Sequence, residues 1–258
     1  KKYIVRMIMV LATFGVAYAL MELIFNAKTF SVRFILKAII NTLEGKSWSH
    51  MWYIYLLIGL YLLTLPLRKI IANCTTREME RIIIVLIVGN FLIPSINSIM
   101  GTEFETYMLV SEYITYYLVG YYISADNFRF STLKVLFVLV SSVGFLVISE
   151  TISLLVAHKQ LPLNHQTQNI FTFIMAISVF IIIKQFCESK NVVLKSGMRA
   201  ICKYSFAIYL VHPFFINVIY KVIGFTPLSI PIFFGIIILD ISVFALSFIA
   251  AVILKKIP

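Results

Sequence analysis

The sequence predicts an all-α fold, a polytopic transmembrane helix bundle, from its composition, its apolar runs and the placement of its charge. Hydrophobic residues make up 61% of the 258 residues and charged residues only 13%. The mean hydropathy of +0.98 lies far above that of soluble domains. Apolar runs of the ~20 residues that a bilayer crossing needs recur along the chain. The 22 Lys and Arg gather at the ends of those runs, as membrane-flanking charge does. No series of alternating ten-residue segments separated by turns competes for a β-barrel reading.

Taken in order, the runs give about eight spanning helices. The first, Tyr3–Phe25, follows a basic flank. An amphipathic segment comes next: Phe30, Phe34, Ile35, Ala38, Ile39 and Leu43 recur at helical intervals opposite Arg33, Lys37, Asn41 and Glu44. It reads as an interfacial helix lying on or dipping into the outer surface. Further spans are expected over His50–Ile71, Met79–Ile99, Tyr107–Ser124, Thr132–Ala157, Asn169–Phe186, Lys203–Gly224 and Ile230–Leu254. The Phe225–Ser229 loop is short, so the last two spans pack antiparallel. No soluble domain or low-complexity linker interrupts residues 1–258, which read as a single membrane domain.

Charge sets the orientation. With the N-terminus inside, the inner segments hold Arg68, Lys69, Arg77, Arg81, Arg129, Lys184, Lys195, Arg199 and Lys203, whereas the outer Gly101–Glu105 loop carries Glu103 and Glu105 and no base. Only the outer Asn26–Ser49 segment dissents, with Lys28, Arg33, Lys37 and Lys46 on or beside the amphipathic stripe. The net charge of +11 is therefore membrane-flanking, which argues against a nucleic-acid partner. Cys74, Cys187 and Cys202 fall near inner ends without metal-ligand spacing and read as reduced thiols. Because the chain opens on Lys1, it reads as starting inside a longer protein.

Against this apolar background a few polar residues stand out. His212, followed by Pro213, lies roughly 14 Å into its span, near the midplane, where ionisable groups line cavities or pathways. Proline removes a backbone N–H and biases His212 away from helical geometry, which predicts a kink with exposed carbonyls. The imidazole then either satisfies a freed carbonyl or does chemistry. Asp240 lies about ten residues into the last span, entered from the opposite face, so its depth matches that of His212. A carboxylate beside an imidazole fixes its tautomer and raises its basicity, as a general base needs, although a buried structural pair has the same composition. His50, inside Trp48-Ser49-His50-Met51-Trp52-Tyr53, reads as part of an aromatic belt or as a site residue. Glu112 and Glu150 fall in the outer halves of their spans, and with His50 they suggest a cavity opening outward. Arg33 or Lys37 is placed to meet an anionic glycan or lipid phosphate, or simply to anchor in headgroups. Asn90 and the Asn97/Ser98 pair read as helix–helix hydrogen bonds. Nucleotide-binding loops, dinucleotide fingerprints, HExxH and the Gly-x-Ser-x-Gly elbow are all absent from the sequence.

Three segments resemble one family. Ser205-Phe206-Ala207-Ile208-Tyr209-Leu210-Val211-His212-Pro213 is similar to the Ser-Phe-x-Ile-Tyr-Leu-x-His-Pro segment of bacterial type-3 integral-membrane acyltransferases. The span from His50 through Trp52, Tyr61 and Pro66 resembles their His-x-Trp-Phe…Tyr-Leu-x-x-Pro helix, and Leu118-Val119-Gly120-Tyr121-Tyr122 resembles a later helix exit. The resemblance implies a parent of about ten transmembrane helices, of which the first two precede Lys1. It also implies transfer of an acyl group, usually acetyl from acetyl-CoA, to a hydroxyl of a surface or lipid-linked glycan, with no bound cofactor and no metal. On this reading His212, Asp240 and His50 are the catalytic candidates, beside a further histidine on the family's first helix to which the resemblance assigns the central catalytic role. Glu112, Glu150, Arg33, Trp52 and Tyr209 are the substrate-binding candidates. Lys2 and Arg6, in a basic stretch like the family's arginine-rich entry to its third helix, would hold the acyl-CoA. The implied location is the bacterial cytoplasmic membrane.

Two other classes share these features: a glycan or small-molecule transporter or flippase, and a membrane module serving another enzyme domain. Transporters often carry matched interrupted helices in two halves. Here one His-Pro interruption has no counterpart, which favours the enzyme.

Overall fold

A computed structural model describes residues 2–102, 104, 111–125, 130–157, 168–188 and 192–254. The regular elements among the described residues are all helical, with no strand among them. In chain order the helices are α1 (Lys2–Val10), α2 (Val16–Ala27), α3 (Arg33–Leu43), α4 (Trp52–Asn73), α5 (Thr76–Ile87), α6 (Ile93–Met100), α7 (Glu112–Ser124), α8 (Thr132–Ile152), α9 (Ile170–Glu188), α10 (Val192–Val218) and α11 (Ile232–Leu254). Five-residue π-helical turns join α1 to α2 and α5 to α6, so each pair forms one continuous apolar rod. Seven helical segments among the described residues are long and apolar enough to cross a membrane, and the protein is multi-pass. The expected eighth span, Tyr107–Ser124, is described only from residue 111; within it α7 buries Thr115, Leu118, Val119, Tyr122 and Ile123. Glu103, Glu105, Arg129, Lys255 and Lys256 lie outside the described residues.

The helices gather into two compact units, residues 64–190 and residues 1–63 with 191–258. The 64–190 unit is built around Phe91, which is fully buried and packs 4.4 Å from Phe173 and 5.3 Å from Tyr116 between ring centroids. Its polar groups tie helices together: Asn90 donates to Thr115 at 3.0 Å, as its depth in an apolar rod requires. Asn97 differs from expectation. It binds Thr102 and the backbone of Phe104 and so closes the end of its own helix rather than reaching a neighbour. The start of α5 is a capping box, in which Thr75 accepts from the Glu78 N–H and Glu78 accepts from the Thr75 N–H.

In the other unit, α10 and α11 form an antiparallel pair joined by residues 224–231. Gly235, Leu239, Val243, Ser247 and Ala251 recur every four residues and make the buried seam of α11. Helix α3 is amphipathic as expected. It runs back along α2, burying Ala38 completely and Thr42 to 5% exposure, while Arg33 and Lys37 stay exposed. Its return leads into a short 3₁₀ turn, Ser49–Met51, so the following span begins at Trp52 and His50 precedes it. Helix α10 runs unbroken through Pro213. His212 therefore keeps helical geometry, contrary to the bias expected of a residue before proline.

Candidate functional site

The missing proline N–H still leaves its mark. In an α-helix the N–H of residue 213 bonds the carbonyl of residue 209, and proline cannot supply that donor. His212 supplies it instead: its Nδ1 lies 2.8 Å from the Tyr209 carbonyl. A carbonyl oxygen only accepts, so Nδ1 carries the proton, and in the neutral ring Nε2 keeps a free lone pair.

The imidazole meets two rings, those of Tyr209 and His50, and His50 gathers further aromatic side chains around itself. The His50 ring lies 6.0 Å from His212, edge-on. It is also edge-on to Tyr18 at 5.0 Å, Trp48 at 6.1 Å and Tyr209 at 5.9 Å. Tyr18 stacks on Trp48 at 4.6 Å, and its hydroxyl donates to the Leu210 carbonyl at 2.7 Å. The Tyr209 hydroxyl donates to the His50 carbonyl, linking α10 to the 3₁₀ turn. Tyr53 meets the Tyr209 ring at 5.3 Å. The structure thus brings together three sequence candidates, His50, His212 and Tyr209, and adds Tyr18 and Trp48. The available signal for Tyr18 was a phenol in the interior of the first span, which needs a hydrogen-bond partner there.

His50 is half-buried, and its Nε2 is buried with no hydrogen-bond partner. Burial lowers its pKa to about 4, with the nearby His212 adding to the effect and the Leu210 carbonyl opposing it. That carbonyl already accepts the Tyr18 proton. His50 is therefore neutral near pH 7. Beside Tyr18 and Val211 opens an apolar cleft of about 280 Å³, also lined by Phe214, Phe215 and Ala250.

Other candidates sit elsewhere. Asp240 does not pair with His212: it is exposed and has no hydrogen-bond or ion-pair partner among the described residues. Matching depth was insufficient, because the seam of α11 runs through Leu239 and the next residue is turned about 100° away from it. Trp52 is 50% exposed and meets Tyr53 at 6.0 Å rather than the histidines. Arg6 and Arg33 are exposed, and the side chain of Lys2 lies outside the described residues. Glu112 opens α7, where its carboxylate accepts from Ser111 at 3.3 Å, and Glu150 is half-buried near the end of α8. Both belong to the 64–190 unit, whereas His50 belongs to the other. Among the described residues no group of three or more His, Cys, Asp or Glu could hold a metal ion.

A histidine pair with one tautomer set has the groups that proton transfer to and from a hydroxyl needs. The profile of a family described as an acyltransferase domain matches residues 1–255. No curated protein and no solved structure matches the chain. The chain belongs to the type-3 acyltransferase family, and it is a membrane O-acyltransferase.

Proposed function

We propose that the chain transfers an acyl group, acetyl in the simplest case, from acyl-CoA to a hydroxyl of a cell-surface or lipid-linked glycan in the bacterial cytoplasmic membrane. The observation that carries the reading is the bond from His212 Nδ1 to the Tyr209 carbonyl, which leaves Nε2 as a base. In the proposed step Nε2 removes the proton from the acceptor hydroxyl as its oxygen attacks the thioester carbonyl. The C–S bond then breaks, and the departing thiolate takes up the proton. His50, neutral and with an unpartnered Nε2, is suited to hold or exchange a proton with the same acceptor. The cleft beside Tyr18 suits the lipid part of a lipid-linked acceptor. Exposed Arg6, with no ion pair among the described residues, is available to the phosphates of the donor, as is Arg33 to an anionic saccharide or lipid phosphate. Asp240 has no part in the proposed step, because it does not reach the imidazole.

The test is mass spectrometry of envelope glycans from cells with the gene present and deleted. The reading predicts acyl-bearing saccharides that disappear on deletion and return with the complementing gene. An unchanged acylation profile, with a saccharide displaced across the membrane instead, would support the transporter alternative.

A further inference from the structure

The turn that carries His50 is held by residues that never reach the ring nitrogens. On its N-terminal side, the Ser47 hydroxyl donates to the Gly15 carbonyl at 2.9 Å and lies 3.1 Å from Thr42 Oγ1. Thr42 in turn donates to the Ala38 carbonyl at 2.8 Å, and its own carbonyl accepts from the Tyr55 hydroxyl. Gly15 is the last residue of the π-helical turn Leu11–Gly15, an irregularity that recurs at functional sites. On the C-terminal side, the Met51 N–H bonds the Trp48 carbonyl at 2.8 Å, and Tyr209 holds the His50 carbonyl.

Only glycine fits at position 15. A Cβ there would lie 2.8 Å from Thr42 Cγ2, with Ser47 Oγ at 3.5 Å and Leu11 Cδ2 at 3.6 Å. The last two are ordinary contacts. The Thr42 methyl cannot swing away while Oγ1 stays on the Ala38 carbonyl, because both branch from one carbon. Close approach at Gly15 thus sets how deeply α3 seats on the first rod, and the seating of α3 sets where the chain re-emerges toward His50.

We propose that Gly15, Thr42 and Ser47 form a positioning lock that fixes the His50 turn against His212. The inference rests on the acyl-transfer reading of that histidine pair. Positional errors of an ångström in a proton-transferring group cost large rate factors, so the lock acts on turnover rather than on donor binding.

The experiment compares the full chain, reconstituted in lipid nanodiscs, with its Gly15→Ala, Ser47→Ala and Gly15→Ala/Thr42→Ser variants. Hydrogen exchange of the peptide covering residues 44–51 and the steady-state kinetics of acyl transfer from acetyl-CoA are both measured. Gly15→Ala is expected to speed exchange by about tenfold and to lower kcat by about tenfold, with KM for acetyl-CoA within about twofold of the parent. Thr42→Ser removes the clashing methyl but keeps the hydroxyl, so the double variant should return both quantities to within about threefold of the parent. Ser47→Ala deletes one bond without a clash and should move both in the same direction by a smaller factor. Parental exchange and turnover in Gly15→Ala, faster exchange with unchanged turnover, or failure of the double variant to recover would each overturn the lock. A His212→Gln control separates this from the underlying reading. If that control is impaired while Gly15→Ala is not, only the lock fails; if the control is fully active, the histidine reading itself fails.

Discussion

His212 donates its Nδ1 proton to the Tyr209 carbonyl, the acceptor that Pro213 leaves without its helical donor. Three features of one helical turn thereby become one device. Proline frees the acceptor, the acceptor chooses the tautomer, and the tautomer leaves Nε2 as the basic nitrogen. The helix continues through Pro213, and the imidazole supplies the missing donor from within the same turn.

Asp240→Asn should leave acyl transfer within about twofold of the parental rate, since the carboxylate is exposed and does not touch the imidazole. Steady-state kinetics of the variant check this. A loss of tenfold or more would mean that the carboxylate reaches the histidine pair during turnover.

The pKa of His50, lowered to about 4, gives a pH dependence with a definite sign. The folded imidazole gives up its proton more readily than the unfolded one, so acid favours unfolding. The contribution of its neutral burial is complete above the ordinary value of 6.5, declines as the pH falls toward about 4, and does not decline further below that. Thermal unfolding across this window should show a slope that His50→Gln flattens. Because the charge on His212 contributes to the lowering, His212→Gln should raise the His50 pKa, measured from imidazole ¹⁵N shifts. An unmoved value would mean that the two rings do not interact.

Gly235→Ala should destabilise the α10–α11 pair. Its Cβ would lie 2.2 Å from the Pro227 carbonyl oxygen, a backbone atom that cannot turn aside. The cost is about 1–3 kcal/mol, in the range for overpacking, and is read as a lower unfolding midpoint in detergent. A midpoint equal to the parent's would show that the 3₁₀ turn Pro227–Ser229 does not press on the helix.

The cysteines report topology directly. Cys187 and Cys202 are exposed and Cys74 half-buried, none of them in a disulfide, near ends that the charge bias places inside. A membrane-impermeant maleimide should leave intact cells unlabelled and label a Thr102→Cys variant. Strong labelling of the parental cysteines, with none at position 102, would invert the orientation.

Much of this architecture was legible because a bilayer crossing is a one-dimensional requirement. The runs predicted as Thr132–Ala157 and Asn169–Phe186 appear as spans Thr132–Leu155 and Ile170–Cys187. Rotation about a helix axis is a different matter. Depth put Asp240 level with His212, yet only the period of four through Leu239 and Val243 says which way α11 faces, and Asp240 is off that stripe. Tyr18 and Trp48 escaped for a related reason. Their role depends on α3 folding back, and that return is set by Gly15 meeting Thr42, a contact between residues 27 positions apart that periodicity does not encode. His50 and His212 were recoverable because each stands beside a local signal, an aromatic cluster in one case and a proline in the other.

The most direct measurement is acyl transfer by His212→Gln, with radiolabelled acetyl-CoA as donor and membrane insertion verified by protease protection. Glutamine keeps a polar side chain of similar reach but cannot serve as a base. The account predicts normal insertion with transfer reduced by about tenfold or more, the usual range for loss of an acid–base group. Normal insertion with the parental transfer rate would contradict it and leave His212 as a side chain that only satisfies the Tyr209 carbonyl.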